Sequence, residues 1–267
     1  MTKNDDEAHI EASRAPLLDH LIELRRRLMW SLLGFLVAFV GCYYFAEQIY
    51  AFLTHPLAVA LEGQPGRRMI YTALYETFFT YIKVAMFGAL CISFPIIASQ
   101  IWMFVAPGLY RSEQRAFLPF LIATPVLFIM GAALVYYGLM PVAIHFFLGF
   151  ETPGGAGSLP IQLEAKVADY LDLIMALIFA FGLSFQLPVL LTLMGRVGLV
   201  SSEFLARNRR YSIVVAFVAA AVLTPPDVLS QFALAIPLIG LYEASVWSVW
   251  LIEKKRAEEE KRAESAV

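Results

Sequence analysis

The chain has 267 residues, 60% of them hydrophobic and only 16% charged, with a formal net charge of −2 and a mean hydropathy of +0.68. That is more apolar surface than one soluble core can bury, which excludes an ordinary soluble domain, and no basic region suggests a nucleic-acid partner. The ten-residue alternation of a membrane barrel is absent, so the backbone in lipid must be satisfied by helices.

Residues 1–15 are polar and acidic, unlike a cleavable signal peptide. Leu17, Leu21, Leu24 and Leu28 then recur at three- and four-residue spacing, with Asp19, Glu23, Arg26 and Arg27 on the other side. The spacing predicts an amphipathic helix with Pro16 in its first turn, lying at the cytosolic surface and continuing into the first span. Glu23 has two readings there. It pairs with Arg26 or Arg27, an exposed pair contributing about 0.2–0.5 kcal/mol, or it serves as a ligand for something else.

Apolar runs near 29–46, 78–105, 117–140, 170–195, 211–223 and 228–250 predict six transmembrane helices. The fifth run is short, about 20 Å of helix against a hydrocarbon core of about 30 Å, so the fifth/sixth hairpin should be thin. Pro95, Pro119, Pro125, Pro188 and Pro237 should bend their helices and cup the bundle. The long connections 47–77 and 141–169 should cap the outer mouth, and the inner loops are short. Cys42 and Cys91 sit within apolar runs and behave as small hydrophobes. Residues 253–264 read as a solvated, partly disordered tail. The expected architecture is a single polytopic membrane domain over 1–267: an amphipathic cytosolic helix (1–28), a six-helix bundle (29–250) and a charged tail (251–267).

Basic residues give the orientation. Lys3, Arg14, Arg25–Arg27, Arg111, Arg115, Arg196, Arg207, Arg209, Arg210, Lys254–Arg256, Lys261 and Arg262 fall on one face, and Arg67, Arg68, Lys83 and Lys166 on the other. Both termini are therefore expected in the cytosol, with Lys83 reaching outward. No zinc, nucleophile or phosphate-loop motif is present, so no catalytic residue, metal or cofactor is expected. Gln186, Gln231 and Glu243 are the intramembrane polar candidates; Glu243 reads as interfacial, beside Trp247 and Trp250.

Four ordered segments carry a family likeness: His20–Leu28; Phe104-Val105-Ala106-Pro107-Gly108-Leu109-Tyr110 with Glu113; Phe181-Gly182-Leu183-Ser184-Phe185-Gln186-Leu187-Pro188; and Leu223-Thr224-Pro225-Pro226-Asp227 before Gln231. Together the chain resembles TatC, the multispanning receptor subunit of the twin-arginine protein translocase of the bacterial cytoplasmic (inner) membrane. The resemblance implies that Glu23 and Glu113 bind the paired arginines of signal peptides on folded cargo, with Arg25, Leu28, Phe104, Leu109 and Tyr110 lining the same surface. It implies that Pro56 shapes the outer cap, that Pro225, Pro226 and Asp227 form the last turn, and that Thr224 and Gln231 lie where single-span partner subunits of the TatA and TatB type dock. It also implies self-association in a larger complex. The family often has glutamate where Gln186 stands. The competing reading is a six-span secondary transporter with a polar midplane site, which would need paired or buried charges along a hydrophilic path, whereas the sequence offers only isolated amides.

Single cysteines replacing residues 64, 113, 156 and 203 in a cysteine-free variant test the orientation. An impermeant maleimide added outside should label positions 64 and 156 only; labelling at 113 or 203 refutes it.

Overall fold

The computed structural model describes residues 3–62, 66–105, 118–155, 157–223 and 228–264, and of residues 3–19, 105, 118, 119, 229, 230, 260, 263 and 264 the backbone alone. The helices are α1 (Lys3–Tyr44), α2 (Ala46–Ala60), α3 (Glu76–Val105), α4 (Leu118–Ala133), α5 (Met140–Leu148), α6 (Val167–Ser184), α7 (Leu187–Arg196), α8 (Ser202–Arg207), α9 (Arg209–Leu223) and α10 (Val228–Glu264). A π-helical segment, Leu134–Leu139, joins α4 to α5. Among the described residues the only bridges between extended segments are isolated ones in the outer loops.

Five stretches are long and apolar enough to cross a membrane: His20–Tyr44, Glu76–Phe104, Phe120–Leu148, Val167–Arg196 and Gln231–Glu259. The remaining predicted span is α9, whose 15 residues reach only about 22 Å. Length therefore supports five spans, with α9 as a short companion to α10. Three other expectations are corrected. The third span runs to Leu148, which leaves 149–166 as the second outer connection, and α2 occupies much of the first. The tail is helical as far as Glu264, because its Glu and Lys/Arg residues fall at helical pair spacing. Finally, α1 runs unbroken from Lys3 to Tyr44, so the amino-terminal helix does continue into the first span, but Pro16 does not start it.

Helices α1 and α3 pack through small residues. Ala85 and Ala89 are buried with Cys42 and Ala46. A Cβ at Gly88 would lie 3.0 Å from Ile49 Cδ1 and 3.2 Å from Cys42 Sγ. Van der Waals packing drives helix association in lipid, so this approach holds the pair and fixes its register. Cys42 and Cys91 are free thiols. The main core lies among α2, α3, the π segment and α6, around Leu53, Val84, Val135, Leu171, Ile174 and Phe181.

Pro56 shows how the outer cap is attached. Its ring removes the N–H that would bond the Phe52 carbonyl, which then needs another donor. The Tyr136 hydroxyl donates to that carbonyl at 2.7 Å, and its ring stacks on Phe52 with centroids 4.3 Å apart. The Tyr170 hydroxyl donates to the neighbouring Leu53 carbonyl at 3.1 Å. The cap is thus bonded to the π segment and to α6.

The two outer loops are also tied to each other. Ile70 exchanges backbone bonds with Ala165 and Val167. The Glu76 carboxylate, at the start of α3, accepts from the Thr72 N–H at 2.9 Å and, more weakly, from the Ala168 N–H in the first turn of α6. The Arg67 guanidinium grips both oxygens of Glu151, which also accepts the Leu163 N–H at 2.7 Å.

Two outcomes follow. Tyr136→Phe should cost about 1–2 kcal/mol, because the Phe52 carbonyl loses its donor. The cost should shrink when Pro56→Ala restores that carbonyl's helical partner, which a denaturation double-mutant cycle measures. Separately, Arg67 and the Leu163 N–H hold the Glu151 carboxyl below the usual carboxylate range. A depressed folded pKa gives stability that is complete above the unfolded value and lost as pH falls through the folded one. Outer-loop protease resistance should therefore fall only below the ordinary carboxylate range, and Glu151→Gln should remove that acid step.

Candidate functional site

The α1/α3 seam delivers the inner ends of both helices to one place. His20, Glu23 and Arg27 are three and four residues apart on one face of α1. They meet Gln100, Met103 and Phe104 of α3. Glu23 Oε1 lies 3.2 Å from Arg27 Nη2, with side chains 31% and 28% exposed. Arg27 Nη1 reaches Gln100 Oε1 and Met103 Sδ, both at 3.4 Å. Arg27 Nε is buried without a partner. The His20 ring stacks on Phe104 with centroids 4.3 Å apart.

Charge-assisted bonds from arginine to carboxylate normally fall at about 2.7–2.9 Å and often come in pairs. The Arg67–Glu151 pair of the outer loops is of that paired kind, with one guanidinium nitrogen on each carboxylate oxygen. Glu23 and Arg27 are not: their single contact is long, and the guanidinium spends a donor on a thioether. Glu23 is therefore a weakly committed carboxylate at a half-buried position.

Of the residues expected at this surface, Glu23 and Phe104 are brought together. Arg25 and Leu28 are exposed and lie about 140–160° around α1 from Glu23. Leu109, Tyr110 and Glu113 lie outside the described residues. His20, Gln100 and Met103 were missed as contact residues by the sequence reading. Gln100, an amide near the end of an apolar run, was the available signal.

Deeper in the bundle, Gln186 lies at the break between α6 and α7. Its Nε2 donates to the carbonyls of Thr124 and Gly182 at 3.1 and 3.2 Å, while its Oε1 is buried without a partner. It lines an apolar cavity of about 330 Å³ with Phe94, Ile101, Trp102, Leu183 and Leu190. Gln231 donates from Nε2 to the Phe217 carbonyl at 3.2 Å, tying α10 to α9. Thr224, Pro225, Pro226 and Asp227 lie outside the described residues. Glu243 pairs with Arg209 at 2.7 Å, in keeping with an interfacial role.

One polar feature contradicts the expectation of isolated amides alone. Lys83 Nζ lies 2.9 and 2.7 Å from the two carboxylate oxygens of Asp172, joining α3 to α6. Both side chains are about half exposed, so the pair sits on the outside of the bundle and lines no internal path of the kind the transporter reading requires.

Comparison with known proteins agrees with the residue pattern. The family model described as Sec-independent protein translocase protein (TatC) matches residues 19–237. The TatC protein of Magnetococcus marinus is 50% identical over 252 residues, covering 94% of this chain and 90% of its own length. That of Escherichia coli K12 is 41% identical over 246 residues, 92% of each. A crystal structure titled as the twin arginine translocase receptor TatC superposes with a TM-score of 0.74 at 34% identity, covering 88% of this chain and 99% of that one.

Proposed function

The chain belongs to the TatC family, and from that premise we propose that it is the receptor and core subunit of a twin-arginine translocase, reading the paired arginines of signal peptides at Glu23 and Glu113. The observation that carries this reading is the loose Glu23–Arg27 contact, 3.2 Å through one oxygen. A planar guanidinium offers a carboxylate two parallel donors, and bonds of that kind contribute about 1.5–3 kcal/mol each. An exposed pair four residues apart on a helix contributes a few tenths. The exchange of Arg27 for a peptide arginine is therefore favourable at a half-dry surface, and Gln100 and Met103 stand ready to hold the displaced Arg27. A second arginine needs a second carboxylate, the role given to Glu113, with Arg25, Leu28, Leu109 and Tyr110 as flanking contacts.

The same reading extends to the rest of the chain. It is a multi-pass protein of the bacterial cytoplasmic membrane with both termini cytosolic, and α9 is its sixth, thin span. Thr224 and Gln231 lie on that hairpin as the docking place of single-span partners of the TatA and TatB type. Pro225, Pro226 and Asp227 shape its turn, and Pro56 shapes the outer cap. Several copies assemble with those partners, and the chain acts by binding, with no chemistry of its own.

Photocrosslinking of one signal peptide in twin-arginine and twin-lysine forms, to membranes carrying the unmutated chain, Glu23→Gln or Glu113→Gln, tests the reading. Lysine cannot reproduce the fork. The twin-arginine peptide should crosslink at least tenfold more strongly to the unmutated chain than any other combination, and folded-reporter export should fall in parallel. Equal yields throughout would place recognition elsewhere.

A further inference from the structure

The outer ends of α5 and α6 leave a cavity of about 330 Å³ between them, within the range of small-molecule sites, about 300–1,000 Å³. Met140, Ala143, Ile144 and Phe147 of α5 line one side at three- and four-residue spacing. Lys166, Asp169, Tyr170 and Leu173, at the start of α6, line the other side with the same spacing, and buried Leu57 of α2 forms part of the floor. The cavity is therefore a groove that runs along the spans for about 10 Å. Because α6 begins at Val167, Lys166 and Asp169 lie at its outer mouth, and Leu173 and Met140 at its inner, apolar end.

The groove is preformed. Leu163, Glu164 and Ala165 complete its lining, and the backbone of that stretch is pinned. Arg67 Nη1 donates to the Leu163 carbonyl at 3.1 Å, and Glu151 accepts the Leu163 N–H at 2.7 Å. Ile70 bonds the Ala165 carbonyl at 3.0 Å and the Val167 N–H at 2.9 Å.

The charges at the mouth are not spent on each other. Lys166 Nζ lies 3.8 Å from Glu76 Oε2 and 3.8 Å from Asp169 Oδ1, beyond hydrogen-bond reach of both. Glu76 is already engaged by the Thr72 and Ala168 N–H groups. The Asp169 side chain is 75% exposed, Glu164 is exposed, and neither carboxylate accepts a hydrogen bond among the described residues. One ammonium and two carboxylates thus stand over an apolar groove. A purely anionic head would meet Lys166 but also both carboxylates, and a purely cationic one would be repelled by Lys166. A phosphate that carries a primary ammonium answers all three: the phosphate accepts from Lys166, and the ammonium donates to Asp169 and Glu164. An acyl chain on the same molecule follows the groove inward.

We propose that this groove binds a zwitterionic phospholipid of the outer leaflet, with a phosphoethanolamine head on Lys166, Asp169 and Glu164 and one acyl chain between α5 and α6. The lipid would brace the outer loops against the bundle. The site is separate from the Glu23 surface and does not depend on the signal-peptide reading.

The test reconstitutes the full chain into vesicles of phosphatidylethanolamine and phosphatidylglycerol. A tracer of either lipid, or of phosphatidylcholine, carries a diazirine in its acyl chain. Adducts on α5 and α6 are compared with those at exposed Val37 and Val40 of α1, which report bulk lipid. The ratio should be at least fivefold higher for the phosphatidylethanolamine tracer than for the other two. Leu173→Trp, which fills the groove, should bring it down to the bulk value. Glu164→Gln with Asp169→Asn leaves Lys166 as the only charge lining the groove and should turn the preference to phosphatidylglycerol. Excess soluble phosphoethanolamine should leave the labelling unchanged; its loss would assign the site to a soluble ligand and overturn the lipid assignment. Equal ratios for the three tracers would mean bulk lipid only and would overturn the proposal, as would an unaltered preference in the double variant.

Discussion

The approach of α1 to α3 is the constraint from which the inner site follows. With Ala85, Gly88 and Ala89 at the contact, Cys42 and Ile49 sit within 3.0–3.2 Å of where a Cβ at Gly88 would be. A Cβ there would already make the Ile49 and Cys42 side chains give by a few tenths of an ångström, and a bulkier side chain would press on α1 and α2. Because both helices are stiff rods, a shift there is carried to their inner ends, where Arg27 meets Gln100 and His20 meets Phe104. The cluster of His20, Glu23, Arg27, Gln100 and Phe104 is thus positioned by side chains that do not touch it. Lipid offers no hydrophobic drive between helices, so close packing of small residues has to supply the rigidity.

Three pairings of one chemistry show how geometry sorts role. Arg67–Glu151 is bidentate and backed by a backbone N–H, and it closes two loops that would otherwise be joined by few contacts. Glu23–Arg27 is single and long, beside an unpaired buried Nε, so it holds a carboxylate in place without saturating it. Lys83–Asp172 is bidentate yet half-exposed, so it ties α3 to α6 at the surface of the bundle. Composition counts all three alike. Only the number of bonds and the burial separate a structural clamp from a loosely held carboxylate.

The sequence made the helices legible, because apolar run length acts through the bilayer and needs no knowledge of tertiary contacts. It also exposed the thinness of α9, which is a matter of counting residues. The sequence reading ended the third span at 140, whereas the π segment and α5 carry the helix through to Leu148. The tail was misjudged because a charge-dense stretch is compatible with disorder or with a helix stapled by pairs, and composition does not choose between them. Lys83 was assigned to snorkelling because its partner is 89 residues away, a separation at which no periodicity links the two. Arg25 and Leu28 came from a motif, and a motif is linear, while a helix turns neighbouring residues to opposite sides.

Gln186 shows how far local backbone chemistry can decide a midplane residue. The chain tightens before Pro188, so the Gln186 N–H bonds the Leu183 carbonyl at 3.0 Å and no longer serves the Gly182 carbonyl one turn back. In lipid that carbonyl needs a donor, and the side-chain amide of Gln186 supplies it while also bonding Thr124 on α4. A carboxylate at this position has no hydrogen to give and could make one such bond only when protonated. Where the resemblance leads one to expect glutamate, this chain instead carries a permanently neutral donor that closes the break between α6 and α7. The cost is an Oε1 left unpaired beside the apolar cavity. The break is thereby stable without any proton, and the polarity remaining at this depth is that of a hydrogen-bond acceptor with no charge.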